Sequence, residues 1–259
     1  MAVVARVIEH RALQYRRTYR ASLFSSFLTP VLFLAAMGLG LGTYVDQGPS
    51  AALGGLSYIE FLAPGLLAAT LMQGAAFEST FPIMGGLVWN RVYHAMYATP
   101  IEPRDVALGN LAWIAARLTM VGVVFTAVIV LFGAARSPLI VLAIPGAVLT
   151  GMAFAGPIVA FSATQRTPEK FNAVFRFGVT PLFLFSGTFF PISNLPDAIE
   201  PVAWLSPLFH GVELSRALAL GTVGDAPLAM LAHTLVLAVI ATAGAAAAVI
   251  SVHRRLVRG

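Results

Sequence analysis

Long apolar stretches without charge constrain this chain more than any other feature. A helix needs about 20 apolar residues to cross the hydrocarbon core of a bilayer. Six stretches meet that requirement, and the predicted spans are 22–44, 59–82, 106–132, 139–163, 174–190 and 227–252. The sequence therefore predicts an all-α integral membrane protein with six transmembrane helices, organised as a single transmembrane domain over residues 1–259.

The composition excludes several other classes of protein. Apolar residues make up 58% of the chain and charged residues only 10%, whereas soluble domains carry about 25% charged residues. This composition disfavours a soluble enzyme, a disordered chain and a nucleic-acid binder. The net charge of +5 is small, and its meaning depends on where the basic residues lie along the chain. The absence of cysteine excludes disulfides and thiolate metal sites.

The placement of Lys and Arg predicts the orientation. With the N-terminus inside, only Arg136 and Arg216 lie on outer segments, and Arg117 lies within a span. The basic residues on inner segments are Arg6, Arg11, Arg16, Arg17, Arg20, Arg91, Arg104, Arg166, Lys170, Arg176, Arg254, Arg255 and Arg258. By the positive-inside rule, this bias predicts a multi-pass protein of the cell membrane with both termini in the cytoplasm.

The first 21 residues have the pattern of an amphipathic helix. Apolar residues recur every three or four positions, at Val4, Val7, Ile8, Ala12, Tyr15 and Tyr19. Such a helix lies in the inner headgroup layer, with its arginines toward anionic lipid. The alternative is an ordinary basic flank that only fixes the topology.

The inner segment 85–105 contains a second amphipathic pattern. Its apolar and aromatic residues have helical spacing, namely Trp89, Val92, Tyr93, Met96 and Tyr97. The Thr99-Pro100 pair ends that helix, because the residue before a proline is disfavoured in α geometry. Spacing alone leaves two alternatives, docking to a partner protein or lying on the membrane surface.

A later inner segment, 163–176, either contains a helix that starts at Pro168 or is a solvated connection between two spans.

The longest outer connection, 191–226, is too rich in proline for a continuous span and too apolar for a free loop. We expect short re-entrant helices between the fifth and sixth spans, because non-helical backbone at membrane depth must be covered by protein or line a cavity. They form either a gate at the outer mouth or a static cap.

No motif for catalysis is present. The single lysine, Lys170, follows Glu169 and cannot belong to a phosphate-binding P-loop, which needs Gly-Lys before Ser or Thr. The scattered histidines have no metal-ligand spacing, so the chain is predicted not to be an enzyme. Glu78 and Arg117, at membrane depth, are expected to pair, with a substrate contact as the alternative.

Small residues predict close helix packing. Gly38 and Gly42 form a GxxxG pair, and Gly244 precedes four alanines. Such faces let helix backbones approach closely, either within one chain or between two chains.

Four stretches resemble those of the permease subunits of type-2 ABC exporters, in particular their NodJ-like branch. They are Phe61–Gly65; Phe77–Phe81; Ala98–Ile101 with Val106–Asn110; and Phe185–Ile192 with Leu195-Pro196 and Leu205–Leu208. The resemblance covers nearly the whole chain and does not identify the substrate.

The resemblance implies a half-transporter that pairs with a second permease copy or a paralogue. Two separate ABC ATPase subunits would hold ATP and Mg²⁺, with no cofactor in this chain. It implies that Arg91, Val92, Tyr93, His94, Met96, Tyr97, Thr99 and Pro100 couple to the ATPase, with Arg166, Glu169 and Lys170 as a second contact. It implies an outer gate and cargo path at Phe185, Phe189, Phe190, Pro191, Pro207 and His210. The implied cargo is a lipidic, glycolipid or drug-like amphiphile.

Two other functions remain open from the residues alone. One is a secondary transporter driven by an ion gradient, although the chain shows no clear repeat and no cluster of acids at midplane. The other is a membrane anchor or assembly protein that moves no cargo.

Overall fold

The computed structural model describes residues 2–16, 19–46, 53, 55–196 and 200–258, and these form helices and turns without a strand. The prediction of an all-α chain is confirmed for them. The predicted segments 1–21 and 191–226 extend over residues 1, 17–18 and 197–199, which lie outside the described residues, as does the basic residue Arg17.

The first half of the chain contains seven described α-helices. These are α1 (Ala2–Tyr15), α2 (Tyr19–Phe33), α3 (Gly42–Val45), α4 (Tyr58–Ser79), α5 (Phe81–Met84), α6 (Val92–Tyr97) and α7 (Pro103–Leu131). Two π-helical segments, Leu34–Leu41 and Gly85–Trp89, connect α2 to α3 and extend α5.

The second half contains six described α-helices. These are α8 (Ile140–Thr164), α9 (Glu169–Ala173), α10 (Thr180–Phe185), α11 (Glu200–Trp204), α12 (Pro207–Leu220) and α13 (Pro227–Arg258). A π-helical segment, Val174–Val179, joins α9 to α10, and the short 3-10 turns are Ile192–Asn194 and Thr222–Asp225.

Four helical stretches of the described chain are long and apolar enough to cross a membrane: Tyr58–Trp89, Pro103–Leu131, Ile140–Thr164 and Pro227–Arg258. They coincide with the second, third, fourth and sixth predicted spans. The first predicted span lies on the helical run from Tyr19 to Val45. The fifth was placed too far along the chain, since its helix begins at Glu169 and ends at Phe185 rather than at residue 190.

The central helix is α4, which packs against α7, α8 and α12. In the most apolar 18 residues of the stretch Tyr58–Trp89, which begins with α4, 72% of the residues are buried. The corresponding share in α13 is 22%. The apolar side chains exposed on α13, such as Leu235 and Val239, therefore suit contact with lipid.

Capping explains where the long helices begin. At the start of α4 the side chains of Ser57 and Glu60 form a capping box, and Glu102 and Asp105 do the same for α7. Reciprocal capping satisfies backbone N–H groups that the first helical turn would leave unpaired. Pro103 then occupies the first turn of α7, where a missing N–H costs nothing.

Two of the small-residue faces pack within the chain. A Cβ added to Gly156 on α8 would lie 2.5 Å from the carbonyl carbon of Gly244 on α13. A Cβ added to Gly38 would lie 2.8 Å from the Ile59 side chain. These glycines therefore bring helices of one chain together.

Candidate functional site

The residues with implied functions lie at the two opposite ends of the helix bundle, separated by the length of α4. The coupling end contains α1, the coupling segment (residues 85–105), and the C-terminal turns of α13. The distal end contains the first turn of α4 and residues 186–196 and 200–225. Arg255 of α13 acts electrostatically on His94 of the coupling segment, which places the C-terminal helix at the coupling end.

The coupling segment follows a break in α4. Thr80, with φ −103° and ψ −90°, ends the helix, and the chain then runs through α5 and the π-helical segment. Arg91 has a left-handed conformation (φ 49°), and α6 follows it. The turn after α6 contains Thr99-Pro100, so the predicted end of this helix is confirmed.

Tyr93 is the anchor of this segment rather than part of its exposed face. Its side chain is 2% exposed, and its hydroxyl donates a 2.7 Å hydrogen bond to Oδ1 of Asn110 on α7. Its ring packs directly on Gly86, where any side chain would collide with it. Among the residues implied to couple to the ATPase, Tyr93 is therefore buried within this chain.

The exposed face of the coupling segment consists of other residues. Trp89 is 56% and Tyr97 is 41% exposed. Arg91, Thr99 and Pro100 are exposed as well, whereas Val92, His94 and Met96 are half-buried. This face combines a cation with two aromatic rings, a composition that suits a protein interface.

His94 adds no positive charge to that face. Burial lowers the pKa of its imidazole below the usual value, and the cations Arg91 and Arg255 lower it further. His94 is consequently neutral at neutral pH, and the charge comes from the arginines.

The second implied contact lies at the same end. Arg166, Glu169 and Lys170 are all exposed. The next turn is fixed by Phe171, which is fully buried and stacks edge-on against Phe81 of α5 at 5.3 Å. The aromatic contact therefore joins this connection to the coupling segment.

Glu78 and Arg117 lie together, as the sequence analysis expected, with 3.5 Å between the carboxylate Oε1 and the guanidinium Nε. The guanidinium also lies over the ring of Tyr15, 4.3 Å from its centre, and Tyr15 packs edge-on against Trp113. The pair thus holds the end of α1 against α7, a role that the spacing of Glu78 and Arg117 alone could not indicate.

The distal end is organised by a turn after α10. Gly187 has φ +80°, a conformation that favours glycine. Nη2 of Arg216 on α12 donates a 2.8 Å hydrogen bond to the carbonyl of Gly187, and Nη1 donates a 2.6 Å bond to Glu213. The guanidinium lies 3.9 Å from the centre of the Phe61 ring on α4.

Two further contacts hold the same turn. The hydroxyls of Ser186 and Ser206 are both buried and lie 2.8 Å apart. A Cβ on Gly65 of α4 would approach the backbone of Thr188 to 3.3 Å. Residues from two of the four stretches quoted above therefore meet at one point, around Gly187.

The residues implied as an outer gate surround this turn with unequal exposure. Phe185 is exposed, whereas Phe189 packs on Phe183 with ring centres 5.0 Å apart. Phe190, Pro191, Pro207 and His210 are half-buried. Phe185 is therefore the aromatic ring of this set most available to a passing molecule.

The sequence analysis missed two features of the distal end. Arg216 was assigned only to the outer side, although an acid three residues before it in an apolar helix, Glu213, signals a pair. Nδ1 of His210 lies 2.7 Å from Nδ1 of His233, 23 residues later in the chain, which no local spacing predicts. The described residues hold no group of three metal-binding side chains.

The model of the ABC-2 type transporter family matches residues 4–220 of this sequence, from α1 to the end of α12. This chain belongs to the ABC-2 type transporter family. The match includes the coupling segment and the Gly187 turn, whereas α13 lies beyond it.

Curated relatives of this ABC-2 transporter chain agree with the assignment. Nodulation protein J of Rhizobium leguminosarum bv. viciae is 30% identical over 209 residues, which cover 81% of this chain and 79% of that protein. Nodulation protein J of Bradyrhizobium diazoefficiens is 31% identical over 208 residues, with 80% and 78% coverage. The inner membrane transport permease YadH of Escherichia coli is 22% identical over 228 residues, with 88% and 86% coverage.

Proposed function

We propose that this chain is the permease subunit of an ATP-driven exporter that moves an amphiphile out of the cytoplasm or the inner leaflet. The family match over residues 4–220 carries the proposal. Two copies, or one copy and a paralogue, form the membrane unit, with six spans each and both termini in the cytoplasm. ATP and Mg²⁺ bind in two separate ATPase subunits.

The coupling segment supports this proposal because it is both exposed and firmly attached. Arg91 and Tyr97 present their side chains outward, while Tyr93 fixes the short helix to Asn110 on α7. A movement imposed on α6 therefore passes to α7 as a shift of a rigid body rather than being absorbed locally. Arg166 and Lys170 form the second contact.

The Gly187 turn supports the position of the gate. The helical part of the fifth predicted span stops at Phe185, so the carbonyl of Gly187 depends on Arg216 for its hydrogen bond, and the hydroxyl of Ser206 pairs with that of Ser186. Non-helical backbone of this kind is tolerated where it is covered by protein or lines a cavity. Cargo leaves past Phe185 and the segments 189–191 and 207–210 when the membrane unit opens outward.

Replacement of Tyr97 by aspartate tests the docking surface. The substitution places a carboxylate on the exposed face without disturbing the buried Tyr93, so the chain is expected to fold and insert. We expect the tagged variant to lose most of the ATPase subunit that copurifies with the wild-type chain in mild detergent.

Tyr44→Asp is the matched control, since Tyr44 is also an exposed tyrosine but lies at the end of α3. It is expected to retain the ATPase subunit. Equal retention by both variants would show that Tyr97 does not contact the ATPase.

A further inference from the structure

A partly open cavity lies between α1 and the coupling segment, at the coupling end. It has a volume of ≈ 290 Å³, and its polar lining consists of His10, Arg11 and Gln14 from α1, and Asn90 and Tyr93 from the coupling segment. Phe81, Pro82 and Trp89 supply apolar walls. The cavity lies away from the distal gate, and it shares only Trp89 with the exposed coupling face.

The guanidinium of Arg11 is the unusual feature of this cavity. Arg11 is only 8% exposed, and its Nε and Nη2 atoms have no hydrogen-bond partner among the described residues. Buried charges in proteins are normally paired, because an ion removed from water loses its hydration without compensation. A buried guanidinium that lines a cavity with two nitrogen atoms lacking partners therefore indicates a missing anion.

No acidic side chain of the described residues lines the cavity. Glu78 acts electrostatically on Tyr93, but its carboxylate lies 3.5 Å from the guanidinium of Arg117. The described residues thus supply cationic and neutral donors here without supplying their acceptor.

The donor set indicates the chemical class of that anion. Arg11 offers a planar fork that matches two oxygens of a phosphate, and Nε2 of His10 is buried without a partner among the described residues. The side-chain amides of Gln14 and Asn90 can each donate to a further oxygen. A phosphate group has enough oxygens to accept from all of these donors.

We propose that this cavity is a binding site for a phosphate group, held by Arg11 with His10, Gln14 and Asn90. The phosphate belongs either to the headgroup of an anionic phospholipid or to free phosphate. The position of α1, whose outward face carries Leu13, suits a headgroup that enters from the membrane surface. The proposal is independent of the exported cargo and of the ATPase subunit.

Thermal unfolding of the purified full-length chain in a neutral detergent tests the site. The probes are dioctanoyl phosphatidylglycerol, inorganic phosphate, and dioctanoylglycerol, which carries the same acyl chains without phosphate. A ligand that binds only the folded chain raises the unfolding midpoint, and the stabilisation grows with the logarithm of the ligand concentration divided by Kd. We expect phosphatidylglycerol or phosphate to raise it and dioctanoylglycerol to leave it unchanged.

The matched variants are Arg11→Gln and Arg6→Gln, because Arg6 lies on the same helix but is exposed. Arg11→Gln is expected to weaken binding about tenfold or more and Arg6→Gln less than about twofold. Should Arg11→Gln fail to fold, Asn90→Ala replaces it, with an expected loss of about threefold.

The two sources give different patterns. A response to phosphatidylglycerol that phosphate does not displace supports the lipid headgroup, and a response to phosphate alone supports the free anion. The proposal is overturned if neither probe binds, if dioctanoylglycerol binds equally well, or if Arg6→Gln and Arg11→Gln lose the same affinity.

Discussion

Arg216 connects three parts of the distal end through one side chain. It donates to the carbonyl of Gly187 and to the carboxylate of Glu213, and it covers the ring of Phe61. The Arg216 side chain is 12% exposed and that of Glu213 is 35% exposed, so the loss of the guanidinium leaves the Gly187 carbonyl poorly solvated and the carboxylate without its partner. The side chain therefore fixes where the chain turns after α10.

Arg216→Met is expected to lower the free energy of unfolding by about 2 kcal/mol, since it removes charge-assisted hydrogen bonds and leaves Glu213 without its partner. Arg216→Lys should recover only part of this, because an ammonium lacks the fork that reaches both acceptors. Unfolding by denaturant in detergent measures the difference. Arg166→Met, which removes an exposed arginine at the other end, is the control, and a similar loss in both would contradict the assigned role.

Tyr93 marks the limit of prediction from sequence at this scale. Helical spacing grouped Trp89, Tyr93 and Tyr97 on one helix, but Trp89 precedes the left-handed Arg91 that begins α6, and Tyr93 turns inward. The direction depends on Gly86, which leaves room for the ring, and on Asn110, which accepts its hydroxyl. Both lie on other elements, so only the tertiary structure reveals the anchor.

At the scale of elements, hydropathy located the long helices because the bilayer sets their length. It misplaced the end of the fifth predicted span, since residues 186–190, like the helix α10 before them, carry no charge. The helix stops there because Gly187 adopts a left-handed conformation and its carbonyl accepts a hydrogen bond from Arg216. Apolar composition carries no information about that turn.

The crossing of α8 and α13 gives a test at this scale. Gly156→Ala is expected to destabilise the chain by about 1–3 kcal/mol, because the added methyl would push against the backbone at Gly244. Gly178→Ala is the control, since nothing lies within 4 Å of its position in the Val174–Val179 segment. The control should be neutral or slightly stabilising, as alanine is the better helix former. Equal midpoints of thermal unfolding would show that the crossing tolerates a side chain.

At the scale of the whole molecule, the two ends of the bundle are expected to face opposite sides of the membrane. The natural absence of cysteine makes this easy to measure. Ser193→Cys at the distal end should react with a membrane-impermeant maleimide in intact cells. Arg166→Cys at the coupling end should react only after permeabilisation, and the reverse pattern would contradict the predicted orientation.

The central claim is that a separate ATPase powers this permease. The most direct measurement is ATP hydrolysis by the complex that copurifies with the tagged wild-type chain, together with its subunit composition by mass spectrometry. We expect a P-loop ATPase in equal number to the permease, with hydrolysis that vanadate inhibits. A homogeneous, folded chain that brings down no ATPase, and whose transport follows a proton gradient, would contradict the account and favour an ion-driven transporter.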